Sequence, residues 1–269
     1  MKTSRTLIAV LTLLVSLVSY VSGQNGEFEG SAESNLGNDR LIDYTSDSEL
    51  NFQVVEGSGT GIGTVRRKTA DCVLLNLPSI GFNFKGKDFT RAYVCANGLV
   101  KFESRTYEVN PRNFGTYRGQ TSDSACLAPY WSFVNLDYFQ SGQSKVFYRK
   151  YEDSNNDFRS VFTKARDFGR TILGESGYNP FWVTIITWVD LRPKQPGDVT
   201  YGGKNTFQLF LANGANNDAF AVYIYKDIDW SIGVIRNQYP NFADSSDLPV
   251  VGFHSGQAND ENPYDNFAK

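Results

Sequence analysis

The sequence predicts a mainly β fold, β-sandwich-like, with one helix packed on a sheet. Three observations lead there. From Cys72 onward, short runs of apolar, aromatic and β-branched residues alternate with Gly, Pro, Asn and Asp, the mark of an all-β domain. The pair "NTFQLFLANG" and "AFAVYIYKDIDW", residues 205–230, carries apolar side chains on both faces, as strands covered on both sides do. A single segment breaks the alternation with a spacing of three to four.

Taken in chain order, the first element is not part of the fold. "MKTSRTLIAVLTLLVSLVSYVSGQ" has a basic start at Lys2 and Arg5, an apolar run from Leu7 to Val18, and small residues at Ser22 and Gly23. That is the pattern of a secretory signal peptide over residues 1–23, cut before Gln24. The run is shorter than the ~20 residues of a membrane-spanning helix, and no other segment is apolar enough to serve. Loss of Lys2 and Arg5 takes the formal net charge from -3 to -5. A mildly acidic chain lacks the clustered basic excess of a nucleic-acid binder.

Residues 24–70 are rich in Gly, Ser, Asn, Asp and Glu, and read as a flexible polar arm with one short strand in "LNFQVV". Arg66, Arg67 and Lys68 within it read as a solvated loop rather than a processing site or a polyanion patch. The remaining 71–269 form the β domain. Its clearest unit is "RAYVCANGLVKF", two runs meeting at Asn97 and Gly98 as in a tight hairpin. Further strands are expected at "GFNFKG", "CLAPYWSFVNLDYF", "KVFYRKY", "FWVTIITWVDL", the two runs of 205–230, and "VVGFHSG". Between "EDSNND" and Gly174 the residues Phe158, Val161, Phe162, Ala165, Phe168 and Ile172 recur at helical spacing, with Asn156 or Asp157 as cap, so a helix is expected near residues 157–170. Its Arg159, Lys164, Arg166 and Arg170 read as a solvated face.

Catalytic chemistry finds little to build on. His254 is the only histidine, and "GFHSG" is not the strained serine turn of a hydrolase. Zinc lacks a close ligand pair. Carboxylates are plentiful, but none is singled out as one of a glycosidase pair. Calcium is the better metal candidate, yet in "DSNND" Phe158 stands where a helix-loop-helix site needs Gly and Lys164 where it needs Glu. "NGANND" and "NDENPYDN" are equally explained as turns. No catalytic, cofactor or metal residue is therefore assigned, and a structural calcium finds no support. The aromatics of 205–230 read as core, because a carbohydrate platform would place them on one face only.

The motifs, taken together, resemble one family. "NTFQLFLANG...AFAVYIYKDIDW", the hairpin "VCANGLVKF", "LAPYWSFV", "VTIITWVDL" and the closing "VGFHSG" stand in the order of the nidogen-like (NIDO) extracellular domain, over about residues 72–260. The chain departs from the family at Phe133 and Asn135, where acidic residues are common, so no cation site is carried over. What the resemblance implies is a secreted, non-catalytic structural or adhesive component of an extracellular matrix, active in cell-matrix adhesion, with matrix proteins or glycans as partners. The alternative is a secreted lectin-like module using exposed aromatics, and a hydrolase is a distant third. Coplanar exposed aromatics would favour the lectin; two carboxylates lining a deep pocket would favour the enzyme.

Three cysteines remain after the leader, and an odd count in an oxidising compartment leaves one thiol over. Cys95 ends a hairpin strand and Cys126 opens the Ala-Pro-Trp strand, so a Cys95–Cys126 bridge is expected. Cys72, at the junction with the arm, is then free or links two chains into a disulfide-bonded oligomer. The other possibility is that Cys72 pairs within the domain while another cysteine is buried and inert.

Overall fold

The computed structural model describes residues 6–12, 17–21, 28–31, 41–52, 54–57, 67–70, 72–104, 111, 114, 124–152, 159–193, 203–215, 218–230, 249–256 and 264–266. The strands begin with β1 (Thr6–Thr12), β2 (Leu17–Val21), β3 (Phe28–Ser31), β4 (Ser48–Glu49), β5 (Val54–Gly57) and β6 (Arg67–Ala70). The domain proper continues with β7 (Cys72–Asn76), β8 (Phe82–Phe84), β9 (Lys87–Phe89), β10 (Arg91–Cys95), β11 (Val100–Lys101) and β12 (Cys126–Trp131). A one-turn helix α1 (Asp137–Gln140) precedes β13 (Lys145–Glu152), and helix α2 (Arg159–Leu173) separates it from β14 (Pro180–Leu191). The chain then runs through β15 (Asn205–Gly214), β16 (Ala219–Ile228), β17 (Val250–His254) and β18 (Tyr264–Asn266).

Two sheets stack face to face. The larger has the order β3-β2-β1-β16-β15-β14-β13-β4 and the smaller β18-β17-β12-β11-β10-β7. Their inner faces interdigitate in the main core, with Trp182, Ile186, Trp188, Phe207, Leu209 and Tyr223 meeting Val94, Val100, Leu127, Tyr130 and Phe253. Burying large aromatics on this scale contributes ~1.5–3 kcal/mol each and dominates the stability of the stack.

Helix α2 covers the other face of the larger sheet. Val161, Phe162, Ala165, Phe168 and Ile172, one stripe of the helix, pack on Val183, Ile185, Phe210, Phe220 and Val222. This is why β14, β15 and β16 are apolar on both sides: odd positions of β15 and β16 face the smaller sheet and even positions face the helix. The helix runs to Leu173, three residues past the expected end at 170 and as far as its apolar periodicity reaches; residues 157 and 158, at the expected start, lie outside the described residues. Its stop is Gly174, whose φ of +67° suits the left-handed residue that ends a helix. The capping candidates Asn156 and Asp157 lie outside the described residues.

The hairpin at Asn97 and Gly98 differs in one respect from the sequence reading. Only Gly98 has a positive φ, +85°; its N–H donates to the Cys95 carbonyl, and Cys95 N–H donates to Leu99 O at 2.9 Å. The loop is the three-residue kind, a reverse turn closed by a left-handed glycine. Glycine is doubly required, since a Cβ here would lie 2.2 Å from the Tyr130 carbonyl oxygen. The turn thereby seats on β12, where Ser132 N–H donates to Asn97 O.

Candidate functional site

Residues 205–214 and 218–225, with Trp230, lie in the interior of the molecule, while Lys226, Asp227 and Asp229 are exposed. Phe207, Phe210, Phe220 and Tyr223 are fully buried, and Tyr225 and Trp230 nearly so. Their polar atoms fasten neighbouring chain. The Tyr223 hydroxyl donates to Gly252 O at 2.8 Å and that of Tyr225 to Pro129 O at 2.5 Å, both across the sheet interface. Burial pushes both phenols well above their ordinary range, so they stay neutral donors.

Asn205 and Trp230 make a second fastening. The Asn205 side chain accepts from the N–H groups of Asp229 and Trp230 and donates to Trp230 O, closing the end of β16 against the start of β15. Trp230 Nε1 donates to Leu191 O, and the Tyr130 hydroxyl donates to Trp230 O. The Asn-Thr-Phe-Gln and Asp-Trp ends of the motif are one buried hydrogen-bonded knot.

Gln208, the last residue of Asn-Thr-Phe-Gln, reaches the arm. Its Oε1 accepts from Ile42 N–H at 2.9 Å, while Nε2 donates to Ile42 O at 2.7 Å and to Thr187 Oγ1 at 2.9 Å. Ile42 and Leu50 are buried, and Leu50 N–H donates to Val146 O. Residues 41–50 are thus a clasp on the larger sheet, where the polar composition suggested only loose chain. At its tip Arg149 donates to Ser46 Oγ, stands over the Tyr151 ring and lies 3.8 Å from Asp47. The Asp47 side chain is almost fully enclosed, and burial outweighs Arg149 to push its carboxyl up to about 6. Asp43 is held below its usual range by hydrogen bonds from the Thr45 N–H and hydroxyl.

Between this clasp and α2 runs an open cleft of about 480 Å³, lined by Ile42, Asp43, Val161, Lys164, Asp167 and Phe168 among others. A glycosidase needs one carboxyl raised to act as acid. Asp43 is shifted the opposite way, and the raised Asp47 does not line the cleft.

The cysteines correct the expected pairing. The bridge joins Cys72 to Cys95, and Cys126 is a buried thiol outside it. Cys72 and Cys95 are directly opposed on adjacent strands β7 and β10, with Cα atoms 4.1 Å apart. Cys95 and Cys126 share a sheet face, but β11 intervenes. Two strand spacings amount to ~9–10 Å, too far for a bridge. Cys72 is 2 % exposed, so neither a free thiol nor a link between chains stands there.

His254 lies opposite Cys126 on β17 and is buried; its Nδ1 accepts from Gly256 N–H at 2.9 Å, a structural turn. The loop carboxylates Asp153, Asp157 and those of "NDENPYDN" before β18 lie outside the described residues, as does Arg66. Among the described residues no three His, Cys, Asp or Glu side chains gather as a metal site. Asn135 accepts from Asp137 N–H at the start of α1. Arg166 and Arg170 on α2 bond to Asn179 and Ser176. Phe181 is an exposed aromatic.

Buried side-chain-to-backbone hydrogen bonds from Asn205, Gln208, Tyr223 and Tyr225 fasten the strands of this β-sheet stack. The chain belongs to the nidogen-like domain family, whose model matches residues 90–268. Among curated proteins it is similar to alpha-tectorin of Gallus gallus, 24% identical over 184 residues, which is 66% of this chain and 8% of that protein. The chain therefore spans less than a tenth of that relative's length. No solved structure matches. Among the described residues no helix is long and apolar enough to cross a membrane.

Proposed function

We propose that this protein is a secreted, non-catalytic structural or adhesive component of an extracellular matrix, acting through its nidogen-like domain. On this reading residues 1–23 are a signal peptide, residues 24–70 a polar arm clasped at 41–50, and residues 71–269 the domain. The observation that carries the reading is family membership over residues 90–268. It is supported by the interior position of the aromatic strands, which leaves their faces to packing and not to a ligand. The partners are matrix proteins or glycans, met through the outer surface.

Expression in cultured secretory cells tests this. The expected result is a chain beginning at Gln24, recovered partly from the detergent-insoluble matrix laid down beside the cells. Recovery wholly inside the cell, or in the medium with none bound to matrix, would contradict it.

A further inference from the structure

Three polar atoms in the main core make no hydrogen bond within the protein. They are Trp182 Nε1, Thr184 Oγ1 and Asn213 Oδ1, each shut off from solvent. A buried polar atom in that condition is costly, and native interiors leave few of them. Three on neighbouring side chains point to a common cause.

The strand register puts them together. Trp182 and Thr184 are alternate residues of β14, on the face that carries Ile186 and Trp188 toward the smaller sheet. Asn213 is the partner of Trp182 on β15 and continues the face of Phe207, Leu209 and Leu211. Same-face neighbours along a strand stand ~7 Å apart and directly opposed residues ~5 Å apart. The indole and the amide also approach one stretch of chain: Asn213 Nδ2 donates to Gly81 O at 2.7 Å, and the Phe82 ring meets Trp182 edge-on, with centroids 6.4 Å apart.

Their chemistry is matched as well as their position. An indole N–H can only donate, an amide oxygen can only accept, and a hydroxyl does either. A metal cation could not accept from the indole, and a fully ionised anion could not donate to the amide. The bridging group must be neutral and do both. We infer that one internal water molecule binds here, accepting from Trp182 Nε1–H and from the Thr184 hydroxyl and donating to Asn213 Oδ1. Three bonds are the usual complement of a buried water. Because the other atom of the Asn213 amide holds Gly81 O, this water links β14 and β15 to the chain entering β8.

Solution NMR on the isotope-labelled protein tests this. The Trp182 indole proton is one of four tryptophan signals. It is identified by its contacts to the Phe82 ring and by its loss in Trp182→Phe; should that variant fail to fold, the ring contacts suffice. The expected result is a direct cross-relaxation peak between this proton and water, with the sign given by a water held longer than the protein's tumbling time. The Thr184 hydroxyl could relay a similar signal by exchanging its proton with solvent. The peak is therefore read again in Thr184→Val, where the water keeps two partners, and it should persist there. No peak in the unsubstituted protein, or its loss in Thr184→Val, overturns the inference and leaves the proposed function untouched.

Discussion

Two residues carry fastenings whose loss should be measurable. Gln208 saturates both backbone groups of Ile42. Gln208→Leu leaves a buried donor and acceptor without partners, at ~1–3 kcal/mol each. Urea unfolding should show a destabilisation of about 2–4 kcal/mol, with new protease sensitivity in residues 41–50. Gly98→Ala meets two penalties at once, a left-handed φ and the Tyr130 carbonyl. A loss on the order of 3 kcal/mol is expected by thermal unfolding, from backbone strain and overpacking together.

These residue roles were partly legible. The sequence marks Gly98 as a turn glycine, because the runs on either side alternate and meet there. That Phe207, Leu209 and Leu211 share one face of β15, and Phe220, Val222 and Ile224 one face of β16, follows from the two-residue period. The work of Asn205 and Gln208 does not, because hydrogen bonds to Trp230 and Ile42 depend on chain 25 and 166 residues away.

Among the elements, the disulfide and the clasp give the clearest expectations. Cys72–Cys95 closes a loop of 23 residues' separation between β7 and β10. Non-reducing peptide mapping should recover that pair, with Cys126 alkylated only after unfolding. Replacing both bridge cysteines by Ser should cost about 3 kcal/mol on the loop-closure model. The pairing was hidden from the sequence because it turns on strand order: β11, only two residues long, stands between β10 and β12 and keeps Cys126 at a distance.

The clasp should be sensitive to pH. The Asp47 carboxyl titrates at about 6 when enclosed and at about 3.8 when free. Below the lower value both states hold the proton and Asp47 does not weaken closure, whereas Asp43, held below its usual range, loses its Thr45 hydrogen-bond contribution as pH falls and opposes this trend. As pH rises between the two values the open state loses its proton first, so closure weakens, and the loss is complete above about 6. Hydrogen exchange of residues 42–50 should therefore be faster at neutral pH than near the lower value, after correction for intrinsic rates. Asp47→Asn should abolish or reverse the difference, leaving the opposite dependence of Asp43. Polar composition concealed the clasp, since only Ile42 and Leu50 of this stretch enter the core.

At the scale of the whole molecule, the aromatic strands are an interior. The mainly β character and the covered helix were readable from periodicity. The three-layer order, with β14 to β16 between α2 and the smaller sheet, follows from the same strands being apolar on both faces. Their position predicts the slowest exchange in the protein, because they open only when the whole stack does. Native-state hydrogen exchange read by mass spectrometry, with and without a panel of matrix polysaccharides, tests this most directly. Peptides covering residues 180–191, 205–214 and 219–228 should be the most protected and should not respond to any glycan. Rapid exchange in those strands, or protection arising there only when a polysaccharide is added, would contradict the account and return the aromatics to a binding face.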